Sequence, residues 1–126
     1  MKKLQSYIHD YLKARGWLSM SPADLAKSIS IEAAELLEIF QWSNRSTAET
    51  VKDSDQMDKI KKELSDVMIY CFDMAILLGI DLEEAIYTKM AHNEKKYPAE
   101  LMNVGKEASN KAYFKRKQEY RKKGIN

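Results

Sequence analysis

The chain has 126 residues, 44% of them hydrophobic, which suits one domain with one core. Four Gly and two Pro favour long helices over a strand-and-turn protein, and no apolar run approaches the ~20 residues that span a bilayer. Net charge is +2, divided unevenly: residues 99–126 hold eight Lys/Arg against three Glu, so residues 1–98 are net acidic.

Met1-Lys2-Lys3 opens into mixed polar sequence without a signal-peptide pattern. Cys71 has no second cysteine to pair with, so a cytoplasmic protein is expected.

A first helix is predicted from Lys3 to Arg15, with Leu4, Ile8, Tyr11 and Leu12 at helical spacing and Gly16 as its stop. Trp17 and Leu18 lead into Ser21-Pro22, an N-cap followed by proline at the first helical position. The second helix runs from Pro22 to Trp42. Leu25, Ile29, Leu36, Ile39 and Phe40 define its apolar face. Glu32 falls at the centre of that face, Glu35 at its edge and Glu38 on the far side, so periodicity buries Glu32.

Residues 43–54 are predicted to be a long polar connection, the kind of segment that is mobile or functional. The third helix, from Asp55 to Leu78, is apolar nearly all round beyond Val67 and should be the most buried. Glu63, Asp66, Tyr70 and Asp73 make one polar stripe along it, and Gly79 ends it. The fourth starts at Asp81 with Glu84 as a capping box and ends at Tyr97-Pro98. Its inward line begins with Leu82 and Ile86, then turns cationic through Lys89, Asn93 and Lys96. The expected organisation is an all-α domain over residues 1–98 and a basic, partly helical tail over 99–126, with Tyr113, Phe114 and Tyr120 as docking contacts.

Glu32 with Glu35, and Glu63 with Asp66, are two acid-x-x-acid pairs on apolar-patterned helices. Four carboxylates in a partly dry place need cations, and carboxylate oxygens suit Mg²⁺ or Mn²⁺, which bind substrate phosphates while keeping part of their water. Lys89, Asn93 and Lys96 supply point charges and a directional donor for phosphate. The combination reads as a metal-bridged polyphosphate site. A salt-bridge network at a dimer interface uses the same charges and is the competing structural account. There is no Cys/His zinc spacing, no phosphate-binding glycine loop and no Ser/His/Asp set.

The segments Leu25 to Trp42, Lys62 to Tyr70 and Lys89 to Pro98, with Trp17, resemble the all-α nucleoside triphosphate pyrophosphohydrolases, the MazG-like superfamily, and in particular its small MazG-like and dCTP pyrophosphatase branch. The composite of two acidic pairs, Phe40-Gln41-Trp42 and Lys96-Tyr97-Pro98 carries the likeness, which covers about residues 4–98. The resemblance implies a four-helix core that forms a homodimer or a dimer of dimers. It implies Mg²⁺-dependent conversion of a nucleoside triphosphate to the monophosphate and pyrophosphate. Glu32, Glu35, Glu63 and Asp66 match the family's metal ligands, and Lys89, Asn93, Lys96 and Tyr97 its phosphate contacts. Trp17 and Trp42 match base-stacking positions, the latter reaching across a dimer interface, and Tyr70 a sugar-side tyrosine. Where dCTP-specific members place a histidine near the base, this chain has Ile8, with His9 one residue away.

On the enzyme reading, water attacks the α-phosphorus and Glu35 or Glu38 positions it; the sequence leaves that choice open. A deoxy preference fits Tyr70 against the sugar. A non-catalytic helical dimer that binds metal or nucleotide as a sensor or partner protein is the alternative. Neither a membrane nor a nucleic acid is expected as a partner; a DNA-binding role for the basic tail would show as a salt-dependent affinity.

Overall fold

The computed structural model describes residues 1–126. It contains seven helices and no strand: α1 (Lys2–Ala14), α2 (Pro22–Glu38), α3 (Thr47–Thr50), α4 (Ser54–Leu77), α5 (Leu82–Lys96), α6 (Ala99–Met102) and α7 (Lys106–Lys122). The all-α expectation is borne out. The chain forms two compact units, Met1–Leu82 and Glu83–Asn126.

In the first unit α2 packs along α4, and α1 packs on α4. Ile8, Leu12 and Phe72 are buried together, with Met20, Ile76 and Leu82 half-buried around them. Leu25 and Ala75 are the other buried apolar residues. Each such side chain of Leu or Phe size contributes roughly 1.5–3 kcal/mol when fully buried, so this core is thin for the chain's length. The apolar circumference of α4 is not all covered: Leu64, Met68 and Ile69 remain exposed.

The helix ends follow local chemistry. Gly16 and Gly79 take φ of 69° and 65° just past α1 and α4, the left-handed conformation that stops a helix at little cost for glycine. Ser21 is the extended N-cap of α2 and Pro22 its first residue, although the serine side chain makes no capping bond. Two predicted boundaries shift. The regular helix of α2 ends at Glu38, and residues 39–42 form turns instead of extending the helix to Trp42. The polar connection contains α3, closed by a capping box: Ser46 Oγ accepts from Glu49 N–H, and Glu49 accepts from Ser46 N–H at 2.8 Å. Arg45 then donates to Asp53 at 2.8 Å. The signal was the Ser46-x-x-Glu49 spacing itself.

In the second unit α6 packs on α7. Tyr113 stacks on Tyr97 with ring centroids 4.8 Å apart, and Tyr120 meets His92 edge-on at 5.6 Å. Arg116 donates to the Lys96 and Lys95 carbonyls at 2.8 and 3.0 Å, which ties α7 to the end of α5. Two of the three expected docking aromatics therefore make ring contacts with the α5 end, while Phe114 stays 59% exposed.

Candidate active site

Packing α2 against α4 brings the two acidic pairs together. Ligand-competent oxygens of Glu32, Glu63 and Asp66 lie within 4.8 Å of one another, all three residues half-buried. Glu35 sits beside them, exposed. The charge of Glu32, then partial desolvation, then the charge of Glu63 and a hydrogen bond with it push the Glu35 carboxyl above its ordinary range; the charge of Glu38 adds to this. Glu38 itself is exposed.

Compensation for this charge is incomplete. Lys62 Nζ lies 3.7 Å from Glu63 Oε1, but the lysine side chain is 75% exposed and that of Glu63 only 15%. The other oxygen, Glu63 Oε2, is buried with no hydrogen-bond partner. A buried acceptor on a charged group is costly to leave unmet, and carboxylate oxygens converging from two helices are the donor set of a hard divalent cation. The residues fit such an ion.

An apolar pocket of about 710 Å³ lies along the same helix, lined by Tyr7, Ile8, Tyr11, Leu12, Trp17, Met20, Asp66, Ile69, Tyr70 and Asp73. Its size falls in the ~300–1,000 Å³ range of small-molecule sites. Trp17 and Tyr70 thus share one pocket, and Asp66 belongs both to the acidic cluster and to the pocket wall. Trp17 is held edge-on against Tyr11 at 6.1 Å, with Arg15 over the other ring at 3.6 Å. Ile8, the residue that stands where dCTP-specific members place a histidine, is a buried apolar wall residue here.

Trp42 is not among those lining residues. It stands in the turns after α2, 90% exposed. Lys89, Asn93, Lys96 and Tyr97 belong to the second unit. Lys89 is exposed and Asn93 half-buried. Lys96 is 4% exposed; its ammonium donates to the Asn126 side chain and lies 5.2 and 5.4 Å from the ring centres of Tyr97 and Tyr120. Within that unit it is a caged cation rather than a surface lysine.

Asp73 is the residue to which sequence reasoning assigned no role. It is 3% exposed, its Oδ1 has no partner, and burial pushes its carboxyl above the ordinary range. The available signal was the polar stripe, which places an acid two turns beyond Asp66 on an otherwise apolar rod.

Comparison with known proteins agrees with this geometry. The model of the MazG-like family matches residues 27–110. The chain is 33% identical over 96 residues to dCTP pyrophosphatase 1 of Rattus norvegicus and 32% identical over 94 residues to that of Homo sapiens. Each alignment covers 73% of this chain but 55% of the relative, so the chain spans about half the length of these curated proteins. The crystal structure of a pyrophosphatase from Archaeoglobus fulgidus DSM 4304 is 41% identical, with a TM-score of 0.66, covering 78% of this chain and 92% of that one. With paired acids on two packed helices and a family match over two thirds of its residues, the chain belongs to the MazG-like family.

Proposed function

We propose that the protein is a divalent-metal-dependent nucleoside triphosphate pyrophosphohydrolase, releasing a nucleoside monophosphate and pyrophosphate within the cytoplasmic nucleotide pool. The observation that carries this reading is the convergence of Glu32, Glu63 and Asp66, with an unpartnered buried oxygen, at the end of an aromatic pocket. The names of the relatives, dCTP pyrophosphatase and pyrophosphatase, support it.

Glu32, Glu35, Glu63 and Asp66 are the residues that hold Mg²⁺ or Mn²⁺. When bound, the ion neutralises charge on the phosphate oxygens and lowers the pKa of coordinated water. The pocket takes the nucleoside, with Trp17 against the base and Tyr70 toward the sugar. Trp42, exposed and beside the turns, is the aromatic that closes over a bound base. Lys89, Asn93, Lys96 and Tyr97 contact the β- and γ-phosphates. In the reaction the oxygen of water bonds to the α-phosphorus and the bond from that phosphorus to the bridging oxygen breaks, so pyrophosphate leaves. Glu35 is favoured over Glu38 for orienting the water, because it stands beside Glu32 and Glu63 in the acidic cluster.

The protein acts as a homodimer on this reading. The buried core is small, and on α4 Leu64 and Met68, one turn apart and so on one face, stay 48% and 38% exposed, an apolar stripe that a second copy covers. No helix is long and apolar enough to cross a membrane.

The test is pyrophosphate release over a panel of ribo- and deoxynucleoside triphosphates, with and without Mg²⁺. Metal-dependent release is expected. Tight nucleotide binding with no release would favour the non-catalytic sensor instead.

A further inference from the structure

We propose that the Asn126 side chain is an autoinhibitory latch on Lys96, seated where an oxygen of the substrate's outer phosphates binds, so that a triphosphate must displace it. The inference rests on the reading of Lys96 as a phosphate contact and adds to it a competitor supplied by the chain itself.

The state of Lys96 comes first. It stands in the last turn of α5 and is 4% exposed. Asn126 Oδ1 accepts from its ammonium, and the rings of Tyr97 and Tyr120 flank it at 5.2 and 5.4 Å. Neither the amide nor a ring carries a negative charge. An ammonium has three N–H donors, and moving it out of water onto neutral partners leaves much of its desolvation uncompensated. A phosphate oxygen accepts the same hydrogen bond and adds a full opposite charge. The contact with Asn126 therefore holds only while no such anion competes for Lys96.

The segment that carries Asn126 is built to leave. α7 itself is fixed to the end of α5: Tyr113 stacks on Tyr97, and Arg116 donates to the Lys95 and Lys96 carbonyls. Past α7 the chain turns at Gly124, with φ of 68°, and Asn126 returns to a residue 30 positions earlier. Residues 121–126 are exposed. The turn closes on Gly124 N–H donating to the Arg121 carbonyl and Ile125 N–H to the Tyr120 carbonyl, each at 3.1 Å. With so few buried contacts, residues 124–126 can swing away while α7 stays docked. Tyr120 and Asn126 also lie past residues 27–110, so the latch comes from outside the region that matches the family.

The experiment measures calorimetric binding to the full chain, with Mg²⁺, of the α,β-methylene analogues of the four common deoxynucleoside triphosphates and of the matching monophosphates. Asn126→Ala frees Lys96 and should tighten triphosphate binding at least about threefold, because apparent affinity scales with the fraction of protein already open. Asn126→Asp sets a carboxylate against Lys96 and should weaken it at least about threefold, less so at high salt. Monophosphates lack the β- and γ-phosphates that Lys96 contacts and should not change. In a Lys96→Ala background neither substitution should have an effect. A residue that merely braces α7 would move affinity the same way in both variants. Unchanged or weaker triphosphate binding by Asn126→Ala overturns the latch, as does an equal gain for monophosphates or no binding by any of the proteins. Pyrophosphate release by wild type stands apart from the first two of these results. Absence of release from every triphosphate, with the two variants still moving affinity in opposite directions, sinks the activity and keeps the latch.

Discussion

Glu32 on α2 and Glu63 on α4 bring carboxylate oxygens within 4.8 Å of each other, and Asp66 joins them at the same spacing. Two unit charges 4 Å apart repel by ~1 kcal/mol in water and ~4 kcal/mol in a partly dry site. The helix pair is therefore strained electrostatically until a cation arrives, which gives the first prediction. Glu63→Gln should abolish pyrophosphate release while keeping helix content, and should raise the melting temperature of the metal-free protein. Wild type should gain ~2.7 kcal/mol at a metal concentration a hundred times Kd, and the variant much less. Calorimetry with and without Mg²⁺ reads both; equal metal-induced shifts in the two proteins would remove Glu63 from the ligand set.

Two raised carboxyls fix the pH dependence. Glu35 is raised first by Glu32 and then by desolvation, and Asp73 by burial. A carboxyl raised on folding binds its proton more tightly in the folded state. Its unfavourable contribution is absent below the unfolded-state pKa and grows as pH rises through the folded-state value. The metal-free protein should lose stability between mildly acid and neutral pH on this account. Asp73→Asn should melt higher than wild type at pH 7, with the difference vanishing as pH falls below about 4. A difference independent of pH would show that Asp73 is not the titrating group.

Lys89 and Lys96 should separate binding from folding. Lys89 is exposed, so Lys89→Ala should weaken triphosphate binding by roughly 1.5–3 kcal/mol and leave the melting temperature alone. Lys96 is caged by Tyr97, Tyr120 and Asn126, so Lys96→Ala should cost both affinity and stability. Titration of a non-hydrolysable triphosphate beside thermal melts gives the answer; unchanged affinity in both variants takes α5 out of the site.

Association should be visible in sedimentation. A thin core beside exposed Leu64 and Met68 on one face of α4 predicts a dimer at micromolar concentration, and Met68→Glu should shift it toward the monomer. A wild-type protein sedimenting as a 14.6 kDa species would contradict this.

Trp42 offers an optical check. At 90% exposure it should emit like a water-exposed indole, and nucleotide should quench or blue-shift it in a Trp17→Phe background. An unchanged spectrum on saturation would confine stacking to Trp17.

The sequence by itself determined that the chain is helical and which carboxylates lie in an apolar pattern. Period and glycine stops placed α1, α2, α4 and α5 to within a few residues, because helix punctuation is local chemistry. Glu32 on an apolar face and Glu63-x-x-Asp66 on an apolar rod stood out because charge in a buried pattern demands a partner. The short helix α3 capped by Ser46 was legible but lay inside a stretch read only for its polarity. Tertiary packing decided the rest. Only the pairing of α2 with α4 sets Glu32 against Glu63 and leaves Oε2 unmet, and only the approach of α1 and Trp17 to α4 encloses the pocket around Tyr70. Asp73 shows the limit most sharply: a stripe gives its direction on the helix, but whether an acid at that angle meets water or an apolar wall depends on residues from another part of the chain, which no local pattern encodes.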